Sequence, residues 1–126
     1  MQFTAKARFI NFSPYKLRPL VDVIRGKDAR YALHWLATHP VKRCEPITKM
    51  ISSAVANAQR ADTGVQAQDL IIQDIRVDQG PILRYFKPGA MGRANIQRRR
   101  FSHMSIILQS KNELKVKQEK PKSEEA

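Results

Sequence analysis

The stretch RYFKPGAMGRANIQRRRF, residues 84–101, decides how this chain is read. It opens on strand-forming aromatics, passes through Pro88, Gly89 and Gly92, and closes on Arg98, Arg99 and Arg100 without one acidic residue. On both sides the apolar period is two. LIIQDIRVD (70–78) puts Ile71, Ile75 and Val77 on one side and Asp74, Arg76 and Asp78 on the other, and RRFSHMSIILQ (99–109) is a matching return strand. The two strands are therefore the arms of one long hairpin. Pro88 ends ladder hydrogen bonding, Gly89 and Gly92 permit positive φ and close backbone approach, and the small residues of the tip Pro88, Gly89, Ala90, Met91, Gly92 make it narrow.

From Gln79 to Asn112 there is no Asp or Glu, against the cations Arg84, Lys87, Arg93, Arg98, Arg99, Arg100 and Lys111. A two-stranded ribbon alone in water buries too little surface to offset the ordering of its backbone, and like charges weaken it further. It is expected to gain order by lying along a polyanion. With about eight residues per arm beyond the body, its reach is roughly 25 Å. Ile82, Leu83, Tyr85, Phe86, Ile96 and Phe101 argue for strands over a disordered basic tail.

Upstream, TAKARFINF (4–12) alternates as a short strand, with Ala5, Ala7, Phe9 and Asn11 on one face and Lys6, Arg8, Ile10 and Phe12 on the other. Ser13-Pro14 reads as a helix cap followed by proline at the first helical position. Leu17, Leu20, Val21 and Ile24 follow at helical spacing, and Gly26 ends the run. Lys16, Arg18 and Arg25 fall mostly on other faces. Pro19 lacks a backbone donor and is expected to kink or distort this helix. Asp28 caps a second helix carrying Tyr31, Ala32, Trp35 and Leu36. A third, over about 41–61, presents Ile47, Met50, Ile51, Ala54, Val55 and Ala58; Pro46 fits only in its first turn or at a bend. From Lys111 onward the chain is charged and almost without large apolar residues, so 111–126 is expected to be a disordered tail.

The chain has 126 residues, 42% of them hydrophobic, enough for one domain with one modest core. Its 23 Lys and Arg against 11 Asp and Glu give a formal charge of +12. So large an imbalance speaks of nucleic acid or an anionic membrane. No apolar run approaches the roughly 20 residues that span a bilayer, and residues 1–19 lack the apolar stretch of a signal peptide. One cysteine, Cys44, suits a reducing compartment. A cytoplasmic polyanion binder is expected.

Catalytic and metal chemistry find little support. Gly89 and Gly92 lack the Gly-Lys-Ser/Thr ending of a P-loop, and their strand flanks differ from the helical context of a KH loop. His34, His39 and His103 do not have metal-ligand spacing. Ser102 and His103 point to opposite faces of a strand, the wrong geometry for a nucleophile and its base. Asp74 and Asp78 pair more naturally with Arg76 and nearby cations, and Cys44 reads as helix packing. The chain is expected to be no enzyme and to need no cofactor or metal. A free-standing nucleic-acid chaperone or DNA-binding module with a ribbon arm remains an alternative.

The segments SPYKLRPLVDVIRGK (13–27), SAVANA (53–58), VDQGP (77–81), RYFKPGAMGRA (84–94) and RRRFSH (98–103) occur in one order and are spread over nearly the whole chain before the tail. In them the chain resembles the ribosomal protein twenty-two family of the bacterial-type large subunit. That resemblance implies an α+β domain over 1–110: three helices packed on a three-stranded antiparallel sheet, with an extended hairpin arm at about 80–103. It implies a structural constituent of the large subunit that binds its ribosomal RNA, aids assembly and lines the polypeptide exit tunnel. Lys16, Arg18, Arg25, Lys27, Arg84, Lys87, Arg93, Arg98, Arg99 and Arg100 would face RNA. The tip would meet the nascent polypeptide, and neighbouring large-subunit proteins would be further partners. Gly89 stands where the family usually has another basic residue, and Phe101 where it favours threonine.

Overall fold

The computed structural model describes residues 2–39 and 41–112. Strand β1 (Gln2–Ile10) leads into three helices, α1 (Pro14–Ile24), α2 (Ala29–Thr38) and α3 (Cys44–Ala61). Two long strands follow, β2 (Leu70–Pro88) and β3 (Ala94–Ser110). The sheet order is β1-β3-β2, antiparallel throughout, with β3 in the middle. This is the α+β architecture with an extended hairpin. The expected tail lies outside the described residues from 113 onward; Lys111 at its start makes a 2.8 Å ion pair with Asp28.

The helices cover one sheet face. Every second residue of β3 from Ser102 to Leu108 turns toward them and is buried, and β1 adds Phe3 and Ala5. Across this face α3 contributes Ile47, Met50, Ile51, Ala54, Val55 and Ala58, all buried and all at the three- and four-residue spacing of its sequence. Pro46 is the third residue of α3, where its missing N–H breaks no intrahelical bond. Helix α1 buries Leu17, Val21 and Ile24 and continues through Pro19, which faces solvent. Neither Ser13 nor Asp28 makes a side-chain capping bond, so each marks its helix start by position alone. In α2 the inner face is Ala29, Ala32 and Leu36, whereas Tyr31 is exposed.

The strands depart from simple alternation at three places, all on the outer strands. Between Ile72 and Asp74, β2 carries one residue more than β3 opposite it. That bulge reverses the phase, so Leu70 and Ile72 join Ile75 and Val77 in the core, while Ile71 lies on the other side. Between Ala7 and Ile10, β1 has a second extra residue. Ile10 is thereby turned toward the core, and Phe9 is turned away at 64% exposed. The third bulge, between Gln79 and Ile82, contains Gly80 and Pro81.

Strand β2 is an edge strand, and α1 covers that edge. Gly26 N–H donates to the Ile72 carbonyl at 3.0 Å, and Ile72 N–H donates to Lys27 at 2.9 Å. Farther along, Arg25 and Arg18 donate to the carbonyls of Ile75 and Val77 at 2.8 and 3.3 Å. Backbone groups that would invite another strand are thus occupied. Gly26 permits this return because its φ of +79° suits glycine.

Candidate nucleic-acid interface

Beyond the Gly80-Pro81 bulge, β2 and β3 leave the helices. No residue from 78 to 101 is buried. The ladder nevertheless continues in register from the Ile82–Arg100 pair to the Pro88–Ala94 pair. At roughly 3.3 Å per residue this ribbon adds about 20 Å of reach. Period-two geometry sets Arg84, Phe86, Ile96 and Arg98 on one face, and Leu83, Tyr85, Lys87, Asn95, Gln97 and Arg99 on the other.

Each face therefore mixes cations with apolar surface. Arg84 sits directly opposite Arg98, a cross-strand pairing that repels. Among the described residues no acid pairs with Arg84, Lys87, Arg93, Arg98, Arg99 or Arg100. Leu83, Phe86 and Ile96 are more than half exposed beside them. A surface of this kind suits a partner that offers phosphates together with the flat faces of bases and sugars.

At the tip, Gly89 N–H bonds the Arg93 carbonyl, and Arg93 N–H donates to Ala90 at 3.3 Å. The left-handed residues are Met91 (φ +58°) and Gly92 (φ +74°), whereas Gly89 is extended and uses its missing side chain for close backbone approach. A Cβ on Gly89 would lie 3.1 Å from the Arg93 carbonyl oxygen, so tight closure of the loop is what favours glycine there. Met91 is left wholly exposed at the apex.

At the arm's root, Arg98, Arg99 and Arg100 meet the start of α1. With Lys16, Asn11, Phe12 and Ser13 they line a hollow of about 290 Å³. The positive end of the α1 dipole adds to these four cations. Sequence spacing gave no sign that Lys16 and the arginine triplet would converge, because that contact depends on how α1 docks along the sheet.

The remaining expected cations are divided. Arg25 is committed to the fold through Asp22 at 2.8 Å, Asp74 at 3.8 Å and the Ile75 carbonyl. Arg18 bonds Val77 and lies 5.4 Å from the centre of the Tyr15 ring. Lys27 stands 6.0 Å over Tyr31. Cys44 is buried, and that burial pushes its thiol pKa up, against a smaller lowering by Arg43. Among the described residues no group of three His, Cys, Asp or Glu could hold a metal ion, and no helix is long and apolar enough to cross a membrane.

Residues 5–109 match the family described as ribosomal protein L22p/L17e. The chain belongs to that family. Its similarity to the large ribosomal subunit protein uL22 of Desulfitobacterium hafniense (strain DSM 10664 / DCB-2) is 44% identity over 112 residues, covering 89% of this chain and 97% of the relative. The uL22 of Desulforamulus reducens is 42% identical over 113 residues, covering 90% and 99%. That of Synechococcus sp. (strain JA-2-3B'a(2-13)) is 43% identical over 104 residues, covering 82% and 83%. The L22p/L17e family is structural rather than enzymatic, and this chain is accordingly a structural ribosomal protein. The match spans the three helices, all but the ends of the sheet and the entire hairpin.

Proposed function

We propose that this protein binds large-subunit ribosomal RNA, helps hold it together during assembly, and lines the polypeptide exit tunnel with its hairpin tip. The observation that carries this reading is the arm itself: a registered ribbon without a buried residue, bearing cations and apolar side chains on both faces. RNA packed around it would neutralise the repulsion between Arg84 and Arg98 and cover Phe86 and Ile96. Recognition would rest on phosphate contact and shape, with little reading of base sequence.

Within the expected RNA-facing set, Lys16, Arg84, Lys87, Arg93, Arg98, Arg99 and Arg100 form the main interface. Lys27 and Arg18 lie at its margin, and Arg25 acts chiefly on the fold. The tip Pro88, Gly89, Ala90, Met91, Gly92 would face the nascent chain, with neighbouring large-subunit proteins around the body. The corresponding location is the cytoplasmic ribosome. Domain limits follow the same division: a body and arm within 1–110, and a charged tail from 111.

The test is sedimentation of a native lysate, with isolated large subunits washed at rising salt. Retention after loosely held basic proteins are stripped is expected, together with cross-links from position 91 to nascent chains. A protein that runs free, or spreads over all nucleic acid, would instead be a free-standing chaperone.

A further inference from the structure

The helices leave the second face of the sheet open. On it lies a hollow of about 320 Å³, lined in part by Lys6, Arg8, Phe9, Asp78, His103 and Ser105. None of these belongs to the interface described above. The hollow is built around the β1 bulge, where Phe9 has a left-handed backbone with φ +57°. That conformation is a genuine outlier for a bulky residue, and such outliers concentrate where a ligand is clamped. Its effect here is to hold a phenyl ring out in solvent, 64% exposed, instead of in the core.

His103 fixes the ring. Phe9 N–H donates to His103 Nδ1 at 3.1 Å, and the two rings meet edge to face with centroids 5.0 Å apart. An accepting Nδ1 is unprotonated, so the neutral imidazole carries its proton on Nε2 as a donor. Asp78 is the cross-strand neighbour of His103 and supplies an acceptor. Lys6 and Arg8 add two cations. One small hollow thus offers a π-face, a neutral donor, an acceptor and flanking positive charge.

That combination matches a planar, hydrogen-bonding ring attached to a phosphate. We propose that the hollow takes one unstacked, single-stranded nucleotide of the bound RNA. Its base lies on Phe9 within reach of His103 and Asp78, and its phosphates lie toward Lys6 and Arg8. The proposal rests on the RNA-binding reading and extends it to the opposite face of the sheet. The root hollow, by contrast, is lined by Lys16 and the arginine triplet with Asn11, Ser13 and a Phe12 that packs partly against the core, and suits phosphate better than a stacked base.

Two measurements test it. In salt-washed large subunits carrying the unsubstituted protein, ultraviolet cross-linking followed by peptide mapping is expected to place a nucleotide on Phe9 or His103. Cross-links confined to the arm and the Lys16 hollow would overturn the site while leaving RNA binding intact. With the full chain and a transcript of the large-subunit RNA, Phe9→Leu is expected to weaken binding roughly tenfold, the scale of one lost base–aromatic stack. Phe9→Tyr keeps the stack and should stay within about twofold. Equal binding by Phe9→Leu and the parent, with Arg99→Ala weakened, sinks the nucleotide site alone. A parent protein that fails to bind the transcript at all sinks the RNA reading itself. Thermal unfolding of Phe9→Leu near the parent's midpoint, as expected for an exposed ring, excludes misfolding as the cause.

Discussion

Gly80 shows how one residue settles where the body ends. A Cβ there would lie 2.9 Å from the Phe101 carbonyl oxygen and 3.0 Å from its carbon, both backbone atoms that cannot swing aside. Gly80→Ala is therefore expected to cost about 1–3 kcal/mol by displacing the bulge, read as a lower urea midpoint. Gly64→Ala is the control: its nearest neighbour is an Asp62 carboxylate oxygen at 3.7 Å, and the change should stay within about 1 kcal/mol. Cys44 makes a second prediction. Burial raises its thiol pKa above the ordinary value, so the folded state favours the protonated form. The associated stability is complete below the unfolded thiol's pKa and fades as pH rises through the folded value. Alkaline unfolding should thus be milder in Cys44→Ser or Cys44→Ala than in the parent, relative to each protein at neutral pH. The sequence marks Cys44 as packing from its place in the first turn of an amphipathic helix. Gly80 it marks only as part of VDQGP, because the close approach is made by Phe101, distant in the chain.

Among the elements, helices were far more legible than strands. A period of 3.6 tolerates no ambiguity over 18 residues, and all six apolar positions expected of α3 are buried. Helix α2 carries Tyr31, Ala32, Trp35 and Leu36 as its sequence indicates, but ten residues offer too few turns to tell the inner face of Ala32 and Leu36 from the exposed flank of Tyr31. In strands one extra residue reverses every later side chain, and the apolar runs carry no mark of where it enters. Regular alternation accordingly sets Ile71 and Phe9 on the wrong faces and gives no sign of the hollow around Phe9. The arm's charges, in contrast, could be read directly. Replacing Arg98, Arg99 and Arg100 together by alanine should leave the unfolding midpoint unchanged or slightly raised, since the Arg84–Arg98 repulsion disappears. The slope of log affinity for RNA against log salt should become shallower by about 2 to 3. An unchanged slope, measured by filter binding over a range of salt, would mean these arginines do not touch phosphate.

For the whole molecule, the question is whether one cooperative unit includes the arm. Buried residues in β2 end at Val77, and in β3 they begin at Ser102; everything between is held by its own ladder and a five-residue tip. Two strands without a covered face are of marginal stability, and this pair carries opposed cations as well. Local opening should therefore be much easier beyond Gly80-Pro81 than within the three-stranded part. In the free protein, amides of 82–87 and 94–100 are expected to exchange at least tenfold faster than those of 70–77 and 102–109. Adding large-subunit RNA should slow the first set strongly and the second set little, because the body is already ordered by its helices. Removal of 87–93, with the shortened strands rejoined by a two-residue turn, should leave the body's thermal midpoint within a few degrees of the parent's. Arm amides as protected as the body's in the absence of RNA would show that the ribbon stands unaided. The repulsion across Arg84 and Arg98 would then be offset within the protein, and RNA would be binding a finished surface instead of completing one.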